Sequence, residues 1–373
     1  MNSKLIQLVI QLRDEASAGI EKLNGSLGRM ADIAGGNLIA GAFEAIGSSL
    51  VGFASTSIQV AGDFEAGMNT FQAAAGDSLA AAGLSVNEFR DKFLELGAKL
   101  PVSTAAVQEA ATTLIKGGLD PMVVKMGGLE SSLKFAAAAG MDLNAAAELS
   151  IKNLGTFVPI TASAAEQTQF LATSQDLLVK AAGASTLDVD ALGAAMLGAG
   201  GQAKAAGVDY KDFVTTMGMI SPSFDSAATA GASYKNFLAR LQPTTKSAMS
   251  AMMELNLVTA DGKSKFYDSS GAFIGNRAAA ELLNKSLNGL SAAQRMSTLQ
   301  AIFGNDAMGA AVALANSGAA GYDKFAAAMA SASGVEQTAA TVQQGFNIAL
   351  DNFHGSIEAL QIVVGTMLLP VLT

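Results

Sequence analysis

Cysteine does not occur anywhere in the chain. Its absence excludes disulfides, thiolate metal ligands and cysteine nucleophiles together, and suits either a cytoplasmic or an assembled-particle setting. Tryptophan is missing too, aromatic residues make up 6% of the total, and His354 is the single histidine. A zinc site needs three or four converging ligands, so His354 reads as a solvated residue on a helix face, and no metal or cofactor is expected. Neither a G-x-x-x-x-G-K-[ST] phosphate loop nor a nucleophile elbow is present, and no residue is assigned a catalytic role. Carboxylate pairs such as Asp188 and Asp190, or Asp209 and Asp212, stand at helix starts, where capping and the helix dipole account for them. The chain is therefore read as not an enzyme. Charge is scarce as well, at 15% of residues, and leans towards acid, with a formal net charge of −9. A nucleic-acid binder needs a basic stripe to displace counterions from phosphates, so no specific nucleic-acid binding is expected. The secretory pattern of basic n-region, apolar h-region and cleavage site is not found at the start.

What is present favours helix. Half of the residues are hydrophobic, but much of that is alanine, a strong helix former that buries little area. Combined with 39 glycines, this implies close helix–helix approach around thin cores. Sixteen methionines add adaptable packing. A length of 373 residues leaves room for two or three domains.

Lys4–Leu12 mixes alternation with an apolar run and is expected to form a short strand. Ala16–Ile33 carries Ile20, Leu23, Leu27 and Met30 on one helical face. Leu38–Val60 has the length to span a bilayer, but Glu44 near its centre favours a buried or self-associating helix. Beyond it, helix punctuation is legible. Ser85 to Glu88 and Ser163 to Glu166 are capping boxes, Ser291 to Gln294 caps a helix to Phe303, and Asp120-Pro121 is an N-cap followed by proline. Asp188 caps a helix, and Gly198, Gly200 and Gly201, which follow a helix and not a strand, read as a helix break. Asp209 opens a helix with Phe213, Met217 and Ile220 on one face; Ser221-Pro222 ends it, and another begins near Ser226. Ala138-Ala-Gly-Met-Asp142-Leu and Ala205-Ala-Gly-Val-Asp209-Tyr repeat one corner: a glycine that closes a helix, an apolar residue that packs back, and an aspartate that caps the next helix. Turn signals at Asp261-Gly262 and Ser270-Gly271 predict a small β-hairpin over 256–274. Gln337–Leu369 reads as one long helix, on which Leu350, Phe353, Ile357, Leu360 and Val364 follow a +3, +4, +3, +4 spacing. That is a two-heptad a/d seam, the candidate site for self-association.

Several of these stretches carry a resemblance. FEAGMNTFQAAAG from Phe64, LGAKLPVSTAAVQEAATTLIKGGLDP, the run from Thr186 to Pro243, LSAAQRMSTLQAIFGNDAMGAAVAL and LDNFHGSIEALQIVVGTMLLPVL resemble the core region of phage tail tape-measure proteins of the TP901-1 type. The resemblance covers roughly Phe64–Leu372. It implies a structural virion protein that scaffolds tail-tube assembly, sets tail length, lies in the tail lumen after assembly in the host cytoplasm, and takes part in genome ejection. It also implies a homo-oligomer, with tail-tube protein, tail assembly chaperones and distal tail or baseplate proteins as partners. In that family the last motif is the exit into a long coiled-coil ruler.

The expected architecture is mainly α: many short antiparallel helices, the N-terminal strand, the hairpin near 256–274 and the long C-terminal helix. Residues 1–62 form an N-terminal strand with amphipathic and apolar helices, 63–334 a helical core, and 335–373 the start of a coiled coil. The alternatives are a membrane-active helical protein using Leu38–Val60 and the C-terminal helix, with transient membrane contact, or a truncated prophage remnant without ruler function.

Overall fold

Serine, threonine and aspartate caps set most of the helix starts. In the structure, a computed structural model that describes residues 50–343 and 346–372, the elements are α1 (Leu50–Ala81), α2 (Val86–Lys99), α3 (Thr104–Lys116), α4 (Leu129–Ala139), α5 (Leu143–Phe157), α6 (Ala164–Gly183) and α7 (Val189–Ala205). They continue with α8 (Tyr210–Ile220), α9 (Ala227–Ala239), α10 (Lys246–Glu254), α11 (Asn276–Ser286), α12 (Ala292–Ser331), α13 (Val335–Val342) and α14 (Phe346–Leu372). The capping boxes at Ser85, Ser163 and Ser291 are formed in full. Both repeated corners close as expected. Gly140 and Gly207 hold φ of 63° and 80°, and the amides of Met141 and Val208 return to the carbonyls of Ala136 and Ala203 at 3.0 and 2.9 Å. Asp142 and Asp209 then accept the first amides of α5 and α8.

Five expectations need correction or limitation. No strand occurs among the described residues; the expected strand at Lys4–Leu12 lies outside them. Residues 256–274 do not form a hairpin of strands. They make two successive tight turns, each closed by one antiparallel bridge, Val258 with Ser264 and Tyr267 with Phe273. Gly262 and Gly271, at φ of 80° and 85°, turn the chain so soon that neither arm grows into a ladder. Nor do Gly198, Gly200 and Gly201 break the helix: α7 runs through all three. Gly200 is buried against Phe157 and Phe213, so its missing side chain serves packing and not a turn. The C-terminal stretch is divided into α13 and α14. Of Leu38–Val60, the described part belongs to α1, and no helix among the described residues is long and apolar enough to cross a membrane.

The chain divides into two compact units. Of the described residues, one unit comprises those up to Lys134, Asp142–Glu148 and those from Ala339 on; the other comprises Phe135–Met141 and Leu149–Thr338. In the first, the rings of Phe71, Phe89 and Phe93 meet at 4.9–5.9 Å between α1 and α2, with Leu96, Val107 and Leu114 fully buried beside them. In the second, a run of rings passes from Phe157 through Phe213, Tyr234 and Phe237 to Phe303, each step 5.2–6.2 Å. Each such side chain contributes large apolar area to a core otherwise lined by alanine, leucine, valine and methionine. Helix α12 packs on α8, α9, α10 and α11. It is interrupted at Gly304 and Gly318, which hold φ of 68° and 57°. Met296 and Leu299 before the first interruption line one cleft with Val312 and Asn316 after it, so the chain turns back on itself at Gly304.

Candidate self-association surface

The five seam residues lie on α14, and the position of that helix follows from two glycines. A side chain at Gly355 would collide with the backbone carbonyl of Gly97 on α2, and one at Gly365 with the carbonyl of Ser57 on α1. With hydrogen in both places, α14 lies close against α1 and α2 and also touches α3. Ile362, between the two glycines, is 1% exposed. A carboxylate completes this face: Glu358 Oε2 accepts the amide of Thr104 at 3.2 Å, at the start of α3, whose first amides have no partner within their own helix. Burial pushes the Glu358 carboxyl above its ordinary range, and the amides of Thr104 and Ala105 pull it part of the way back.

At about 100° per residue, Gly355, Ile362 and Gly365 fall on one side of α14 and Ile357, Leu360 and Val364 on the opposite side. All three of the latter are partly exposed. The structure thus brings Ile357, Leu360 and Val364 together as a stripe facing away from α1 and α2. The side chains of Leu350 and Phe353 lie outside the described residues, although their backbone belongs to the same helix. Gly355, Glu358 and Gly365, which hold this stripe in place, were not singled out by sequence reasoning. The available signal was a single carboxylate between two glycines ten positions apart in a mostly apolar stretch.

Nothing in the geometry adds chemistry to this surface. Among the described residues there is no group of three or more metal-ligating side chains. His354 is exposed. Asp188 and Asp209 cap α7 and α8, as their positions at helix starts imply. Asp190 is likewise in a first turn, whereas Asp212 turns into the second unit and accepts the amide of Asn276 at 3.0 Å and the hydroxyl of Tyr322 at 2.7 Å.

The chain, mainly helical among its described residues, matches a family model for phage-related minor tail proteins over residues 90–304. That is more than half of the chain, and the chain belongs to this family. It is 25% identical over 333 residues to the tape measure protein of Pneumococcus phage Dp-1, an alignment covering 89% of this chain and 27% of that one. It is also 29% identical over 187 residues to the probable tape measure protein of Escherichia phage P2, covering 50% of this chain and 22% of that one. The chain therefore spans far less than two thirds of the length of either relative. No solved structure matches it.

Proposed function

We propose that the chain is the N-terminal and core part of a tail tape-measure protein: a structural protein of the virion tail that scaffolds tube assembly, sets tail length and takes part in genome ejection. The observation that carries this reading is the alignment along 89% of the chain with a protein named for that role. In this reading the residues 63–334 are the helical core, and α14 begins the coiled coil. Copies of the chain associate through Leu350, Phe353, Ile357, Leu360 and Val364. The outward stripe on α14 supports this, because a second helix reaches it without displacing α1 or α2. Burying such side chains contributes roughly 1.5–3 kcal/mol each. The tail-tube protein, the assembly chaperones and the distal tail or baseplate proteins are the partners, and the tail lumen is the place of residence.

The absence of cysteine makes a direct test possible. Single cysteines placed at 357, 360 and 364 are expected to form disulfide-linked dimers on mild oxidation faster than one at 362, which is covered while α14 is docked. Ile357→Asp with Leu360→Asp is expected to convert a small homo-oligomer to monomer in light scattering, with the far-UV helical signal retained. A chain that is monomeric across micromolar concentrations, with no cross-linking preference among the four positions, would overturn the self-association reading. For the wider function, purified chain mixed with its cognate tail-tube protein is expected to seed tubes visible by electron microscopy. If tube formation is indifferent to the chain, the scaffolding role is lost.

A further inference from the structure

The contact face of α14 contains buried polar atoms with no match in their surroundings. Ser57 Oγ on α1, Thr104 Oγ1 on α3 and Asn352 Oδ1 on α14 itself are all inaccessible to solvent and have no hydrogen-bond partner among the described residues. Ser57 and Thr104 are 0% exposed as whole residues. Each lies where α14 meets its neighbours. Gly365 approaches the backbone of Ser57, Thr104 donates its amide to Glu358, and Asn352 stands one turn before Gly355 and Ser356. A buried polar group without a partner destabilises the state that buries it, because in the open state water would satisfy it. Glu358 acts in the same direction, since its carboxylate is partly desolvated on docking.

Among the described side chains of α14, little apolar burial opposes these costs. Two of the contacts are glycines, which bring backbones together but add no side-chain area. Ile362 is the one large apolar side chain of α14 that is fully buried among those described. The aromatic cluster of α1 and α2 is different: Phe71, Phe89 and Phe93 are fully buried against one another.

From this contrast we infer that α14 is a releasable strap: it docks on α1, α2 and α3 through a face built to open, and it leaves without unfolding the helices beneath it. Once free, the stripe of Gly355, Ile362 and Gly365 becomes available as well as the stripe of Ile357, Leu360 and Val364. The helix then offers apolar or close-packing surfaces on two opposite sides to other helices. Local opening of this kind belongs to segments with few buried apolar contacts and incompletely satisfied polar groups. The inference does not depend on the assignment to a phage tail.

Hydrogen exchange on the full chain, read by mass spectrometry, tests it. Amides of residues 352–366 are expected to exchange about tenfold or more faster than those of Val107–Leu114 in α3, although both are helical. Ser57→Ala, Thr104→Val and Asn352→Leu each remove an unmatched polar atom, and each is expected to slow exchange in α14 by about threefold or more while leaving α3 unchanged. Ile362→Ala is expected to do the reverse and speed it. Equal protection of α14 and α3 in the unmodified chain overturns the inference. So does unchanged or faster exchange in α14 of those polar-to-apolar variants that keep the far-UV helical spectrum, because the unmatched atoms would then not govern opening.

Discussion

Replacing Gly140 or Gly207 by valine forces a β-branched residue to hold φ of 63° or 80°, where only glycine sits without strain. Each variant is expected to lose about 1–2 kcal/mol or more, read as a lower urea midpoint. An unchanged midpoint for both would mean that the corners relax at no cost. Neither glycine has an atom near the place its β-carbon would occupy, so backbone conformation and not crowding sets the loss. Asp212 makes a second argument at this scale. Burial is the largest influence on its carboxyl and pushes it above the ordinary range, even though Asn276 and Tyr322 donate to it. A carboxyl whose folded-state value is raised binds its proton more tightly when folded. Its contribution to stability is therefore largest at low pH and falls as pH rises from the unfolded value through the raised one. Asp212→Asn keeps an acceptor for the Asn276 amide and removes the charge. Its urea midpoint relative to the unmodified chain is expected to improve between about pH 4 and pH 7; an identical pH dependence of the two proteins would show that Asp212 does not titrate in that window.

Among elements, those whose signals are local were legible. Ser85, Ser163, Asp188, Asp209 and Ser291 all cap the helices expected of them, because a cap needs only a residue and its neighbour two or three positions on. Caps supplied from elsewhere in the chain were not legible. Gly275 leaves α11 without a side-chain cap, and Asp212, 64 residues earlier, accepts its first amide. Asp176 does the same for Val335 across 159 residues, and Glu281 for Ala319, just past the Gly318 interruption. At the Gly304 corner the polarity reverses: Arg240 Nη1 donates to the carbonyl of Phe303 at 2.7 Å. Arg240→Ala would leave that carbonyl without its charged donor and is expected to destabilise by about 1–3 kcal/mol. Arg240→Lys, which restores a charge but not the planar fork, should recover part of the loss in the same thermal melt. If alanine and arginine melt alike, the corner is held by the Phe303–Phe237 contact alone. The glycines of α7 were misread for a related reason: spacing cannot distinguish a glycine that ends a helix from one that lets two helices touch.

For the molecule as a whole, composition and periodicity were enough for a mainly helical fold. They offered only continuous blocks, 1–62, 63–334 and 335–373, whereas neither compact unit is continuous in sequence. The seam on α14 was visible as a pattern, while the opposite face that fixes its direction depends on carbonyls of Gly97 and Ser57, some 260 to 310 positions away by numbering. Net charge is also a property of this scale. At −9, the chain is expected to leave the fluorescence anisotropy of a duplex oligonucleotide unchanged at physiological salt. A salt-sensitive rise would reveal a basic face that the overall balance hides.

The bond from Thr104 to Glu358 joins residues 254 apart, and this has a consequence for the order in which the protein is made. Helices α1, α2 and α3 leave the ribosome before most of the second unit, yet the helix that covers them follows only after that unit has been made. At translation speeds of roughly 5–20 residues per second, about 13 to 50 seconds separate the two events. Through that interval the nascent first unit stands uncovered while the whole second unit is produced and free to fold. Any chaperone or partner that acts on the uncovered surface of α1 and α2 has that time, and a slower ribosome would lengthen it.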